Sequence, residues 1–315
     1  MKVAILESLG IGEEELLSLE KPFLEKGVEF VHYDRSLDEN VLLSELDGAD
    51  AAIIANMPFP SSVIAKSGSL KFIDVAFTGT DHVGLDAAKK KGIAVSNASG
   101  YSNEAVSELV LGMVLSFMRN ISKVEERCRN GKDKTGLVGN EVKGKTVGIV
   151  GLGKIGRRTA EIFSCLGAKI LACSRSRHSD APSYVREVEM DELLTSSDII
   201  VLHCPLTPET RGLIGEKELE RMKSSAILVN VARGPVVDEK ALALALEKGE
   251  IRGALVDVFD KEPPLSLDSP LLSAPNTLLT PHVAFATKES MSLRAEIVFE
   301  NLRAWMEGQQ INVIC

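Results

Sequence analysis

The segment Gly151-Leu152-Gly153-Lys154-Ile155-Gly156 has the residue types and spacing to hold a pyrophosphate. It directly follows the strand-like run TVGIV and opens a helical stretch at 157–166. Glycines there permit a tight turn and a close backbone approach. The phosphates would then meet the unpaired amides and positive dipole of the helix N-terminus. With strand, turn and helix all in register, the motif points to a dinucleotide rather than to an empty glycine turn.

Beyond the next strand stand Cys173-Ser174-Arg175-Ser176-Arg177-His178, with no acid before Asp180. A site selective for an unphosphorylated ribose usually carries Asp or Glu at this position. A hydroxyl and two guanidinium groups at Ser174, Arg175 and Arg177 suit a 2′-phosphate better. The expected cofactor is therefore NADP(H), with NAD(H) as the alternative. A solvated basic turn is the plain structural reading of the same residues.

Further strand ends carry reactive types. Cys204-Pro205-Leu206-Thr207-Pro208 follows one strand, and Val231-Ala232-Arg233-Gly234 follows the next. Asp257 lies on a third, and Pro281-His282 ends a fourth. Open α/β sheets bind ligands at the carboxyl ends of their strands. Singly, Arg233 reads as a turn residue, Asp257 as a loop cap, Glu262 as surface charge before Pro263-Pro264, and His282 as a packed histidine. Their shared placement favours a site.

The elements that would position these groups alternate along the chain. Strands are expected at 2–6, 28–33, 50–55 and 71–77, with helices at 13–25 and 37–46. A long helix at 102–121 has Ser102 as a possible cap and Val106, Leu109, Val110, Met113, Phe117 and Ile121 on one face. Residues 127–145 read as an exposed connection. Strands at 146–150, 169–173, 199–203, 226–230, 253–258 and 277–280 make a second series of six. A last helix covers 288–307. The fold class is α/β with parallel sheets, the second series fitting a doubly wound dinucleotide-binding sheet.

The 315 residues suit two domains. The net charge of −9 argues against a general nucleic-acid or anionic-membrane binder. No run approaches ~18 apolar residues, the length a membrane span needs. The N-terminus MKVAILESLG lacks a signal-peptide pattern, so a cytoplasmic protein is expected. Five cysteines without a C-x-x-C pair suit a reduced chain of buried thiols.

The chain resembles the D-isomer-specific 2-hydroxyacid dehydrogenases. The segments carrying the resemblance are VGIVGLGKIGRRTA, LHCPLTPETRGLI, ILVNVARGPVVDEKAL, ALVDVFDKEPP and LLTPHVAFAT, with AFTGTDHVGLDAAKKKGIAVSNASGYSNEAVSEL near the N-terminus. The resemblance implies two doubly wound domains, a Rossmann cofactor domain at 100–284 and a flavodoxin-like substrate domain. The substrate domain would be 1–99 plus a returning C-terminal helix at 285–315, with the active site in the cleft between domains. It implies Arg233, Glu262 and His282 as catalytic residues. Arg233 and the backbone of Thr78-Gly79-Thr80 would hold the substrate carboxylate, and Asp257 the nicotinamide carboxamide. Gly151, Gly153, Lys154, Ile155, Gly156, Ser174, Arg175, Arg177, Cys204, Pro205, Thr210, Val231 and Ala232 would line the cofactor. Ser174 stands where many members have the ribose-binding Asp. The implied partners are a small 2-keto or 2-hydroxy acid and a second copy in a homodimer.

Hydroxypyruvate or glyoxylate is the expected substrate. D-lactate and D-3-phosphoglycerate dehydrogenases are alternatives, the latter opposed by a length without room for a regulatory domain. A dinucleotide-sensing transcriptional corepressor is the rival from another class. Formate dehydrogenase, with glutamine as the histidine's partner, is opposed by Glu262.

Overall fold

The computed structural model describes residues 1–177, 179–262 and 265–315. The expectations touching His178, Pro263 and Pro264 lie outside the described residues. Contacts divide the chain into two compact units, Met1–Ser102 with Ala286–Cys315, and Asn103–Phe285.

In the first unit the chain runs β1 (Lys2–Ile5), α1 (Glu13–Leu24), β2 (Glu29–His32), α2 (Glu39–Glu45), β3 (Ala51–Ile54), α3 (Ser61–Lys66), β4 (Phe72–Val75), α4 (Leu85–Lys91) and β5 (Ala94–Asn97). The five strands are parallel in the order β2-β1-β3-β4-β5, a flavodoxin-like sheet. The reversal of strand order lies between β1 and β3. β3 and β4 are buried at every residue, as strands covered on both faces must be. β5 was not among the strands expected from sequence. Its AVSN alternates too weakly to announce itself, and its place is fixed by pairing with β4.

The second unit begins with α5 (Asn103–Met118) and α6 (Ile121–Arg129). One helix was expected over 102–121, but it ends where Asn120 turns left-handed with φ 54°. The apolar periodicity runs through that break and hides it. Residues 127–129, read as connection, belong to α6. Then follow β6 (Thr146–Val150), α7 (Lys154–Cys165), β7 (Lys169–Cys173), β8 (Val185–Glu187), α8 (Met190–Ser196), β9 (Ile199–Leu202), α9 (Glu216–Arg221), β10 (Ile227–Asn230), α10 (Glu239–Lys248), β11 (Gly253–Val256) and β12 (Thr277–Leu279).

These seven strands, not six, form a parallel sheet in the order β12-β11-β10-β9-β6-β7-β8. The addition is β8, a short half-polar edge strand that no hydrophobic run signals. Strand order reverses between β6 and β9. One core layer includes Val150, Leu202, Leu228 and Val256. The other includes Ile149, Val201, Val229 and Leu255, packed with α5 and Phe163 of α7. Alternate residues of each strand therefore feed opposite faces.

The chain ends with α11 (Lys288–Met306), which packs on α1, β4 and β5 of the first unit. Trp305 stacks on Phe72 with ring centroids 4.8 Å apart. Asn301 is fully buried and donates to Asp74 of β4 at 2.9 Å and to the Asn97 carbonyl at 3.1 Å.

Candidate active site

At the carboxyl end of β6, Gly151 has φ +99°, and a Cβ there would meet the backbone of His203 and Cys204 at 2.8 Å. A Cβ on Gly156 would lie 2.1 Å from the Gly151 carbonyl, so α7 can approach the loop only without a side chain. A Cβ on Gly153 would meet nothing within 4 Å. The three glycines thus separate into a turn, an open face beside the helix N-terminus, and a close helix contact. Those are the features a bound pyrophosphate requires. Lys154 and Ile155 open α7 at the same place.

The loop is braced from β7. The Gly151 amide donates to the Cys173 carbonyl at 2.8 Å, and the Leu152 amide donates to Ser174 Oγ at 2.9 Å. Ser174 is therefore tied to the glycine loop. Arg175 is exposed and lies within the field of Glu209, whose carboxyl it helps hold below the usual range after hydrogen bonds from Thr207 and its own backbone. Arg177 is also exposed, with Glu189 at 3.9 Å. Arg157, which the sequence reading passed over, pairs with Asp180 at 2.8 Å and donates to the Leu152 carbonyl at 3.3 Å. It connects α7 to the segment after β7.

Beyond β9, burial lowers the pKa of His203 to about 3, and its Nε2 lies 2.9 Å from Thr159 Oγ1. Thr159 in turn meets Ser107 Oγ at 3.0 Å, which joins α5, α7 and the β9 end. Cys204 is buried, and burial pushes its thiol up to about 11, so it packs as an inert apolar group. The hydroxyl of Thr210 donates to the Pro205 carbonyl at 2.6 Å and accepts from the Thr207 amide at 2.7 Å, closing the loop. Val231 and Ala232 are buried just after β10.

Arg233 follows on the same strand end. Its turn is cradled by Asn230, whose amide donates to the Arg233 carbonyl at 3.0 Å and whose oxygen accepts from the Ala232 amide at 3.1 Å. Arg233 itself donates from Nη1 to the Ala232 carbonyl at 2.8 Å. A Cβ on Gly234 would sit 2.0 Å from the Phe259 carbonyl carbon. The absence of a side chain therefore lets the Arg233 turn lie directly against the segment leading to Glu262. Glu262 Oε2 accepts from the Phe259 amide at 3.0 Å, and Oε1 lies 2.6 Å from His282 Nδ1. Both side chains are less than one-fifth exposed.

His282 has φ +54°, a left-handed conformation that costs a non-glycine residue about 1–2 kcal/mol. The surrounding bonds impose it. Its amide donates to the Asp257 carbonyl at 2.7 Å and the Thr280 carbonyl at 3.1 Å. The Asp257 carboxylate accepts from Thr280 Oγ1 at 2.5 Å, the Val283 amide at 2.9 Å and the Ala284 amide at 2.9 Å. Burial raises the Asp257 carboxyl above its usual range, and these three donors oppose that rise. The structure thus gives Asp257 the loop-capping task read from sequence, and shows that the loop it holds is the one carrying His282. Among the described residues no group of three or more His, Cys, Asp or Glu side chains could hold a metal ion.

In the first unit, Thr78, Gly79 and Thr80 lie just past β4 and are partly buried. The Thr78 carbonyl accepts from Asn97 Nδ2 at 2.7 Å, which fixes the loop to the end of β5.

Residues 111–284 match the model of the D-isomer specific 2-hydroxyacid dehydrogenase, NAD binding domain. The chain is 33% identical to hydroxypyruvate reductase of Blautia hydrogenotrophica, over 100% of this chain and 99% of that one. It is 41% identical to glyoxylate reductase of Thermofilum pendens, over 79% and 76% of the two chains. A solved acyclic imino acid reductase, in complex with NADPH and D-Arg, superposes with a TM-score of 0.91 at 29% identity over the whole of both chains. No single helix among the described residues is long and apolar enough to cross a membrane.

Proposed function

The chain belongs to the D-isomer specific 2-hydroxyacid dehydrogenase family of NAD(P)-dependent oxidoreductases, and we propose that it reduces small 2-keto acids, hydroxypyruvate or glyoxylate foremost, to D-2-hydroxy acids through Arg233, Glu262 and His282. The observation that carries this reading is the 2.6 Å pair between His282 Nδ1 and Glu262 Oε1, which joins the segments past β12 and β11, the latter strand lying next to β10, whose end bears Arg233.

The Gly151–Gly156 loop and the N-terminus of α7 would hold a nicotinamide dinucleotide, which in its reduced form would supply the hydride for C2 of the substrate. Arg233 binds the keto-acid carboxylate and polarises the adjacent carbonyl, stabilising the negative charge that gathers on its oxygen. A carboxylate accepts only, so Glu262 holds the Nδ1 proton and orients the ring. Nε2 of His282 then delivers its proton to the carbonyl oxygen as general acid, and Glu262 stabilises the positive form from which it leaves. In the opposite direction the same nitrogen takes the proton back. The Thr78–Thr80 backbone is assigned to the substrate carboxylate.

The cofactor preferred in this reading is NADPH. The support is a ribose position with Ser174 instead of an acid and two exposed guanidinium groups close behind it in the chain. Asp257 is assigned to the nicotinamide carboxamide as well as to the His282 loop. The proposed working form is a cytoplasmic homodimer. Steady-state rates with a panel of 2-keto acids, each with NADPH and NADH, and chiral analysis of the product test the activity. Absence of turnover with every keto acid would refute it and revive the sensing corepressor.

A further inference from the structure

The reversal of strand order in the first unit creates a second crevice whose residues the mechanism above does not use. Ligands of doubly wound sheets bind outside the carboxyl ends of the strands at such a point. Here it lies between β1 and β3, and a carboxylate spans it. Glu7, only 5% exposed, accepts at Oε2 from the amides of Ala55 at 2.7 Å and Met57 at 2.9 Å. Arg35 reaches across from the end of β2. Its Nε lies 3.7 Å from Glu7 Oε1, and its Nη1 donates to Asn56 Oδ1 at 3.5 Å.

Both Arg35 contacts are long, and its side chain is 37% exposed. A guanidinium has five donors in a planar fork that matches a carboxylate. Arg35 is therefore anchored loosely enough to take a better acceptor. A second guanidinium strengthens the field: Arg294, 3% exposed, donates from Nη2 to the Leu9 carbonyl at 2.6 Å, just past Glu7.

The spacing connects this crevice to the substrate loop. β3 and β4 are neighbours with Ile54 opposite Val75, and the ladder continues through the Ala76 amide to the Ile54 carbonyl at 2.7 Å. Asn56 and Thr78 thus stand on adjacent strand ends, separated by roughly one strand spacing of ~4.8 Å plus a residue's offset. That matches the carboxylate-to-carboxylate span of a four- or five-carbon diacid. The side chain of Met57, the residue after Asn56, is fully buried.

We propose that Arg35, with Asn56 beside it, recognises a second anionic group, so that among 2-keto acids of equal length the protein selects the dicarboxylate. This rests on the reading that the protein reduces 2-keto acids with their first carboxylate on the Thr78–Thr80 loop. Arg35 is a specificity-determining residue, remote from the reacting atoms.

The test compares matched pairs, 2-oxoglutarate against 2-oxopentanoate and oxaloacetate against 2-oxobutyrate, in the wild type, Arg35→Gln and Arg35→Lys. Glyoxylate turnover and thermal melting are measured alongside. In at least one pair the wild type should favour the diacid in kcat/KM by about tenfold or more, the scale of one charge-assisted hydrogen bond. Arg35→Gln should remove most of that preference while glyoxylate stays within about twofold, and Arg35→Lys should restore part of it. A wild type that favours neither diacid overturns the proposal. So does an Arg35→Gln variant that lowers diacid, monoacid and glyoxylate alike, which would mark Arg35 as a brace for Glu7. A protein inactive on every keto acid, glyoxylate included, overturns the underlying activity instead.

Discussion

The amide of His282 donates to the Asp257 carbonyl at 2.7 Å, while the Asp257 carboxylate collects the amides of Val283 and Ala284. One residue at the end of β11 therefore holds the backbone on both sides of the histidine that must transfer a proton. This relationship explains how the fold holds a histidine at φ +54°.

Asp257→Asn should loosen that loop. The amide can place its oxygen toward only part of the donor set, leaving at least one amide without its charged acceptor. We expect kcat to fall about 10- to 100-fold, as small misplacements of a reacting group do. Stability should drop by about 1–3 kcal/mol. A variant with normal kcat and a normal urea midpoint would show that His282 holds its conformation without Asp257.

Arg233→Lys keeps the charge and loses the planar fork. KM for hydroxypyruvate should rise because the carboxylate clamp on the ground state is lost, and kcat should fall because Arg233 also stabilises charge that develops only in the transition state. If both stayed within about twofold, the usual margin for a meaningful loss, another group would have to bind the carboxylate.

Cofactor choice can be tested at Ser174 and Arg175. Ser174→Asp retains an acceptor for the Leu152 amide and adds a negative charge that repels a 2′-phosphate. It should reduce or reverse the preference for NADPH in kcat/KM. Arg175→Ala together with Arg177→Ala should weaken NADPH far more than NADH. A wild type that clearly prefers NADH would mean that Arg175 and Arg177 serve only solvent and their acidic neighbours Glu209 and Glu189.

Asp74 makes stability pH-dependent. Its carboxyl is fully buried in β4 and pushed well above the usual carboxylate range by burial, opposed only in part by the Asn301 amide. The native state thus keeps a proton that the unfolded chain releases at pH ~3.9. Between that pH and the raised native value the unfolded state binds fewer protons, so stability falls as pH rises. Asp74→Asn should flatten this slope and leave the protein about 1–3 kcal/mol more stable at pH 8. Urea unfolding at pH 5 and pH 8 measures it; an equal slope in wild type and variant would contradict the assignment.

Much of the fold was legible in sequence because its signals are local. The TVGIV–GLGKIG junction announces a strand, a turn and a helix within a few residues, and buried strands such as ILVN read as apolar runs. What stayed hidden depends on neighbours. β8 is an edge strand whose VRE has no hydrophobic pattern, and the break at Asn120 is masked by periodicity that continues to Ile121. The types in the Arg233, Glu262 and His282 set were readable, and the reason they can be assembled was not. Gly234 reads as a turn until Phe259 is seen against it. Glu7 and Arg35 belong to no motif. Their meeting follows from the strand order, which no single segment specifies.

The most direct test of the proposed chemistry sets wild type beside His282→Gln. Reduction of hydroxypyruvate by NADPH and NADH is followed at saturation, and dinucleotide affinity is measured independently by calorimetry. General acid catalysis is worth about 10²–10⁴-fold. The account predicts that kcat falls by a factor in that range while dinucleotide affinity stays within about threefold. A His282→Gln variant that retains near-wild-type kcat would contradict it, because the proton would then come from elsewhere.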